Sequence, residues 1–329
     1  MKFFKLIVVL GITLSLSSCF EDDPYYDAES TFGIRHDRSL ADYENKAAST
    51  SGDIPNFSAV IAFNYSLDGS DNYEYVASGA LISDEWILTA GHNFYDSDEQ
   101  NSPAPVSGIE VLVGNDPNNP DGVYGVKEVV YHPTWLAGDQ EFKYGNDFCL
   151  VRLSQPVNGV TPVELNSSKS ESVGSTVWYC GFGDYSSTDG QNQDLYSKKH
   201  AYENLLDRVV SVDGTSVGGQ SYSGGLLAYD FDDPEGILNS LGDSIVYQDE
   251  AILGTGTSKS GALDLEAATV AGDSGGPLFI KIGNDWKLAG VLHGGAYEPI
   301  RNHKDSDYGD ISIFMRVSSA IDWINSVVE

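Results

Sequence analysis

Short apolar runs, broken every few residues by glycine, asparagine, aspartate and proline, dominate this chain and limit it to short β-strands joined by turns. Ser58 to Tyr65, Tyr75 to Ser83 and Trp86 to Thr89 read as the first strands, followed by Ile109 to Gly114, Val123 to Tyr131 and Phe148 to Leu153. Further along, Thr176 to Gly181, Pro277 to Ile282, Trp286 to Leu292 and Ser312 to Arg316 repeat the pattern. The exception is the C-terminal end. Val317, Ile321, Ile324 and Val328 recur at helical spacing, with Ser318 or Ser319 in reach of an N-cap. The expectation is an all-β barrel protein with a closing helix, and 329 residues suffice for two modest barrels or one large domain.

Within that frame one heptad carries chemistry: Ala271-Gly272-Asp273-Ser274-Gly275-Gly276-Pro277. Its glycines allow a bend where a side chain would clash, and they leave backbone N–H groups free to meet a ligand oxygen. A serine hydroxyl is a weak nucleophile at neutral pH and needs a base and a group to orient that base. Trp86-Ile87-Leu88-Thr89-Ala90-Gly91-His92 ends an apolar strand in small residues and then presents an imidazole. Asn146-Asp147-Phe148-Cys149-Leu150 opens an apolar strand with an aspartate, which is costly to bury unless hydrogen-bonded and is kept ionised by a neighbouring imidazolium. Singly, the serine motif is weak, the histidine reads as structural and the aspartate as a turn residue. Together they give the order His92, Asp147, Ser274, which is neither the Ser-Asp-His nor the Asp-His-Ser order of other hydrolase folds.

These segments, with Gly181-Phe182-Gly183, resemble the trypsin/chymotrypsin family of serine endopeptidases over roughly residues 55 to 329. The resemblance implies two packed antiparallel six-stranded β-barrels of chymotrypsin-like form with a C-terminal helix. It implies that Ser274 attacks the scissile carbonyl, that His92 moves the proton and that Asp147 orients the imidazole. It also implies an oxyanion hole from the N–H groups of Gly272 and Ser274, where one donor is worth about 3 kcal/mol of barrier. The substrates are then proteins or peptides, and no cofactor or metal is called for. The competing reading is a catalytically silent binding protein on the same fold, which usually lacks a triad member; none is missing here.

Specificity is less legible. Six residues before the nucleophile, where an aspartate would select Lys and Arg, the chain has Ala268, followed by Thr269. The opposite wall reads Gly290-Val291-Leu292-His293-Gly294-Gly295. Thr269 and His293 resemble a pair that binds a substrate carboxylate in glutamyl endopeptidases. Shifted by one residue, His293 would instead face Asp147. Small or apolar specificity is the leading expectation and acidic specificity the second. In zymogen-type relatives the aspartate at Asp273 pairs with a newly freed N-terminus, and cleavage before Ile34 in Gly33-Ile34-Arg35-His36-Asp37 would create an isoleucine start. The family's Ile-Val-Gly-Gly start is absent.

The N-terminus supplies a location. Lys2 and Lys5 precede an apolar run from Leu6 to Leu16, and Leu16-Ser17-Ser18-Cys19 resembles a bacterial lipobox, in which Cys19 takes the lipid. A plain secretory signal is the alternative. Residues to about Ser51 read as a flexible tether, and the acidic cluster after Cys19 resembles a surface-export signal. The division is therefore a signal peptide at 1–18, a tether or propeptide at 19–51, one barrel at 52–160 and a second at 161–329. An insertion at about 184–268, longer than compact relatives need, is expected to shape loops around the cleft. The expected location is outside the cytoplasm, lipid-anchored to an outer membrane or cell surface, with release by cleavage.

A formal net charge of −31 argues against nucleic acid and anionic membrane surfaces as partners, leaving the lipid as the membrane contact. Tyr229-Asp230-Phe231-Asp232-Asp233 is either a solvated acidic turn, the preferred reading, or a structural calcium site without EF-hand spacing. Beyond Cys19, Cys149 and Cys180 sit in apolar strands, as buried thiols or, alternatively, as one disulfide. Asn93 follows His92, so the family's frequent disulfide beside the histidine is missing.

Overall fold

The expected strands of the first half close into a barrel. A computed structural model describes residues 30–97, 100–186, 197–242, 252–296 and 305–329; Cys19 and the leader lie outside them. β1 (Val60–Tyr65), β2 (Tyr75–Leu81), β3 (Trp86–Thr89), β4 (Ile109–Val113), β5 (Gly122–Tyr131) and β6 (Cys149–Leu153) form a closed antiparallel barrel in the order β1-β2-β3-β6-β5-β4. Pairing of Ala62 with Leu112 and of Phe63 with Val111 closes it.

The continuous apolar runs have a physical reason. Ile61, Phe63 and Tyr65 of β1 pack inside the barrel with Ile87, Val111 and Val151. The alternate residues Val60 and Ala62 pack outward on Trp178, Cys180 and Phe279 of the second sheet. A strand buried on both faces needs no polar alternation. β5, by contrast, alternates half-buried and exposed residues from Gly122 to Lys127, as one face meets solvent.

The second half is a seven-stranded antiparallel sheet, ordered β8-β7-β11-β12-β13-β10-β9, rather than six strands. It is built from β7 (Thr176–Gly181), β8 (His200–Leu205), β9 (Arg208–Val217), β10 (Gln220–Asp230), β11 (Pro277–Ile282), β12 (Asp285–Ala296) and β13 (Ile311–Arg316). β8, β9 and β10 come from the segment expected to be a loop-forming insertion. They are integral strands, and β10 pairs with β13 from Leu226–Met315 to Asp230–Ile311. Both cysteines are buried free thiols; Cys149 lies in the first barrel and Cys180 in the second sheet.

Two further expectations change. Residues 30–51 are not a flexible tether: α1 (Leu40–Ala47) buries Tyr43 and Ala47, and Phe32 and Ile34 pack against the second sheet's core. The Tyr43 hydroxyl donates to the Glu266 carbonyl at 2.9 Å. After the short α2 (Pro133–Leu136), the C-terminal α3 (Val317–Val328) has Arg316 at its N-cap position, not Ser318 or Ser319. Ser318 instead donates to Glu171 at 3.0 Å. Trp323 of α3 packs edge-on to His132 at 4.9 Å and near Phe148, tying the helix to the first barrel. Among the described residues no helix is long and apolar enough to cross a membrane.

Candidate active site

The seam between the two halves brings the three sequence-singled segments together. His92 follows β3 through Gly91, where an added Cβ would lie 3.1 Å from Asp147 Oδ1. That bare glycine lets the carboxylate reach the backbone, and the His92 N–H donates to Asp147 Oδ1 at 2.9 Å. His92 Nδ1 lies 2.6 Å from Asp147 Oδ2, so Nδ1 carries the proton that it donates and Nε2 is left as the basic nitrogen. Asp147 is 1 % exposed. Burial pushes its carboxyl up, but the charge of His92 and hydrogen bonds from His293 and His92 outweigh that and hold it well below the usual carboxylate range.

Ser274 is fixed through its backbone from the first barrel. The N–H of Ser78 on β2 donates to the Ser274 carbonyl at 2.9 Å. The amide of Asn93, next in chain to His92, donates to the same carbonyl at 3.2 Å. The Ser78 hydroxyl donates to the Gly272 carbonyl at 3.0 Å. Gly272 has φ +94° and Gly275 φ +83°, a conformation that favours glycine. With both carbonyls held from one side, neither the Gly272 nor the Ser274 N–H donates to a protein oxygen among the described residues. Two such donors beside a serine are what an anionic tetrahedral centre requires.

Ser274 borders a cleft of about 260 Å³ whose lining includes Ala268, Thr269, Leu292, Gly294, Asp310 and Ser312. Ala268 is buried, and the Thr269 and Ser312 hydroxyls lie 3.1 Å apart. His293 does not line this cleft. A bulge in β12 shifts the pairing with β13 between Leu292 and Gly294, and His293 Nδ1 comes to 2.6 Å from Asp147 Oδ2. The expectation of His293 as a carboxylate-binding pocket residue is corrected to its alternative register, because the bulge re-aims the side chain. His92, Asp147 and His293 are close enough to hold a metal ion; both Nδ1 atoms are instead at hydrogen-bond distance from one carboxylate oxygen.

Asp273 points away from the cleft and is fully buried. Its carboxylate accepts from Gly183 N at 2.9 Å and Val270 N at 3.1 Å and faces His200 Nε2 at 3.2 Å. Ile34 is engaged as an ordinary peptide, its N–H donating to Phe32 at 2.8 Å and its backbone bridging Ala267. The intact chain therefore does not bring Ile34 to Asp273 as a charged partner.

The acidic segment at Tyr229 to Asp233 is not a solvated turn, since Asp230, Asp232 and Asp233 are all buried, as are Asp207 and Glu266. Among the described residues these carboxylates do not converge as a metal-binding group does. Sequence reasoning missed Ser78, Tyr185 and the position of His200. Ser78 is one small residue in a strand of small residues, and nothing local marks it.

Comparison with known proteins finds similarity to one protein family and to curated relatives. The family model described as Trypsin matches residues 54–210, a span that includes His92 and Asp147 and ends before Ser274. Human transmembrane protease serine 5 is 24% identical over 266 residues, which is 78% of this chain and 47% of that protein. Mouse complement C1s-1 subcomponent is 34% identical over 125 residues, 36% of this chain and 16% of that protein. The chain thus spans less than half the length of these curated relatives.

Proposed function

The chain belongs to the trypsin/chymotrypsin family of serine peptidases, and from that premise we propose that it is an endopeptidase that uses His92, Asp147 and Ser274. Ser274 Oγ attacks the substrate carbonyl carbon while His92 Nε2 takes the hydroxyl proton. The carbonyl oxygen gains the charge and is met by the N–H groups of Gly272 and Ser274. As the C–N bond breaks, His92 returns the proton to the leaving amine. Water then attacks the acyl-enzyme with His92 again as base, releasing the acid and Ser274. Asp147 keeps its charge throughout and fixes the Nδ1–H tautomer.

The observation that carries this reading is the buried, ionised Asp147 at 2.6 Å from His92 Nδ1, one residue from the Asn93 amide that holds Ser274. The test is reaction with a peptidyl organophosphonate, which requires an activated serine. Wild type is expected to be labelled at Ser274 and to cleave a peptide library; S274A is expected to do neither. A folded wild type inert to the probe supports instead the silent binding protein.

We propose small or apolar side chains for the primary pocket, on the strength of Ala268 at its base and the turning away of His293. A second reading, favoured by Asp305 and Asp310 in the lining, is a basic side chain. Profiling at the residue before the scissile bond separates them. The proposed setting is outside the cytoplasm, anchored through a lipid on Cys19, a residue outside the described ones; it rests on the basic, apolar and Leu-Ser-Ser-Cys sequence of the leader. Metabolic labelling with palmitate, lost in C19S, tests it.

A further inference from the structure

We propose that His200 is a positioning residue that holds Asp273, and through it the 272–274 loop, so that the oxyanion site is assembled in the chain without cleavage before Ile34. This rests on the endopeptidase reading above.

Asp273 sits between the two N–H donors of the oxyanion site, so whatever fixes its carboxylate fixes them. The carboxylate is fully buried and costs free energy unless it is paired. Two backbone N–H groups, from Gly183 and Val270, supply hydrogen bonds but no net charge. The Tyr185 hydroxyl lies 3.0 Å from Asp273 Oδ2 and 2.7 Å from the Ala268 carbonyl, and its single proton serves one of them at a time. His200 is the ionisable base within hydrogen-bond reach of Asp273 among the described residues, at 3.2 Å. It is 1 % exposed, and its other nitrogen, Nδ1, lies 3.2 Å from the Lys198 carbonyl. A carbonyl and a carboxylate both accept, so the ring is held between two acceptors and its Nε2 faces the Asp273 carboxylate. The imidazole thus supplies, inside the intact fold, a side-chain partner for Asp273 that needs no freed amino terminus.

The surroundings are shaped for this contact. An added Cβ at Gly181 would lie 2.4 Å from Asp273 Oδ1, and one at Gly183 would lie 2.6 Å from Asp273 Cγ. Those two bare positions admit the carboxylate against the β7–β8 end, where Gly181 pairs with His200. Residues upstream of Ile34 are also built in. The Thr31 N–H donates to Asp307 at 2.7 Å, and the Gly33 carbonyl accepts from Ala268 N–H at 2.7 Å. The intact segment thus braces the wall that carries Ala268, and cutting it would release a support of the cleft.

A cavity of about 160 Å³ bordered by Glu44, Lys198 and His200 opens beside the imidazole and gives a route for chemical rescue. Intact-mass measurement of phosphonate-labelled wild type is expected to show the Gly33–Ile34 bond retained; labelling confined to species beginning at Ile34 overturns the proposal. H200A is expected to lose about 100-fold in kcat with KM within about threefold, the scale of losing one oxyanion donor, and to regain at least tenfold with added imidazole. H200Q, which keeps a donor but not the ring held between Asp273 and Lys198, is expected to fall between H200A and wild type while melting near wild type. Wild-type kcat in folded H200Q and H200A, or a loss confined to KM, overturns it. If wild type itself neither labels nor cleaves, the endopeptidase reading fails first and takes this one with it.

Discussion

His293 donates from Nδ1 to Asp147 Oδ2 at 2.6 Å, the same oxygen that His92 Nδ1 approaches at 2.6 Å. The two imidazoles meet nearly edge-on, with centroids 5.4 Å apart. The carboxylate is therefore held from two sides.

Removing the second donor tests that arrangement. H293A is expected to lower kcat about 10- to 100-fold, since a hydrogen bond to a charged group is worth about 1.5–3 kcal/mol. H293S, able to restore a shorter hydroxyl donor, is expected to recover part of the loss. Neither is expected to change the ranking of residues accepted before the scissile bond. A selective loss on Glu substrates would put His293 back in the pocket.

Ser78 offers a second test, across the seam. Its hydroxyl donates to the Gly272 carbonyl and accepts from the Phe182 N–H, both at 3.0 Å. S78A leaves two buried backbone groups without that partner and is expected to cost about 1–3 kcal/mol of stability. Because one of them belongs to the proposed oxyanion loop, kcat is expected to fall more than KM rises. Unchanged kinetics with a lowered melting point would make Ser78 purely a packing residue.

How much of this was legible follows from what each segment buries. The barrel strands other than β5, and the core of β11 to β13, show as apolar runs because both faces are covered. β8 and β9 do not, because charged residues break the pattern: Lys199 precedes β8, Glu203 lies within it and Arg208 opens β9. Lys199 is nonetheless buried, its Nζ donating to the Phe57 carbonyl at 3.0 Å, a long-range partner that no local pattern reveals. α1 hides in polar sequence for a related reason: Tyr43 and Ala47 alone turn fully inward. The three proposed catalytic residues were legible because their neighbours are short-range. His293 was not, since its direction depends on one bulge in β12.

Buried carboxylates predict an unusual response to pH. Burial, then the charges of Asp230, Glu266, Asp207 and Asp233, push Asp232 up to about 10. Burial pushes Glu266 up to about 8, and Asp207 is raised to about 9 by burial and Asp230. In the unfolded chain these groups release their protons near pH 4. From there up to the folded values, the native state holds more protons than the unfolded one, so stability falls as pH rises. The thermal midpoint is expected to be lower at pH 9 than at pH 6, and D232N is expected to reduce the difference. An unchanged slope in D232N would remove Asp232 from the cause.

The join between α3 and the segment linking the two halves makes the last prediction. Arg316, at the helix N-cap, donates through Nε to Glu171 at 3.0 Å and pairs through Nη2 with the same oxygen. The Asn166 amide and the Ser318 hydroxyl donate to the other oxygen at 2.9 and 3.0 Å, so the carboxylate is fully engaged. Both charges are buried, Arg316 at 4 % and Glu171 at 7 % exposure. Deleting one charge strands the other, a loss of about 3–5 kcal/mol. E171A and R316A are each expected to lose stability on that scale by denaturant titration. The double variant E171A/R316A is expected to lose less than the sum of the two, because neither charge is then left alone. A double variant whose loss equals the sum would show that the pair does not act as a unit.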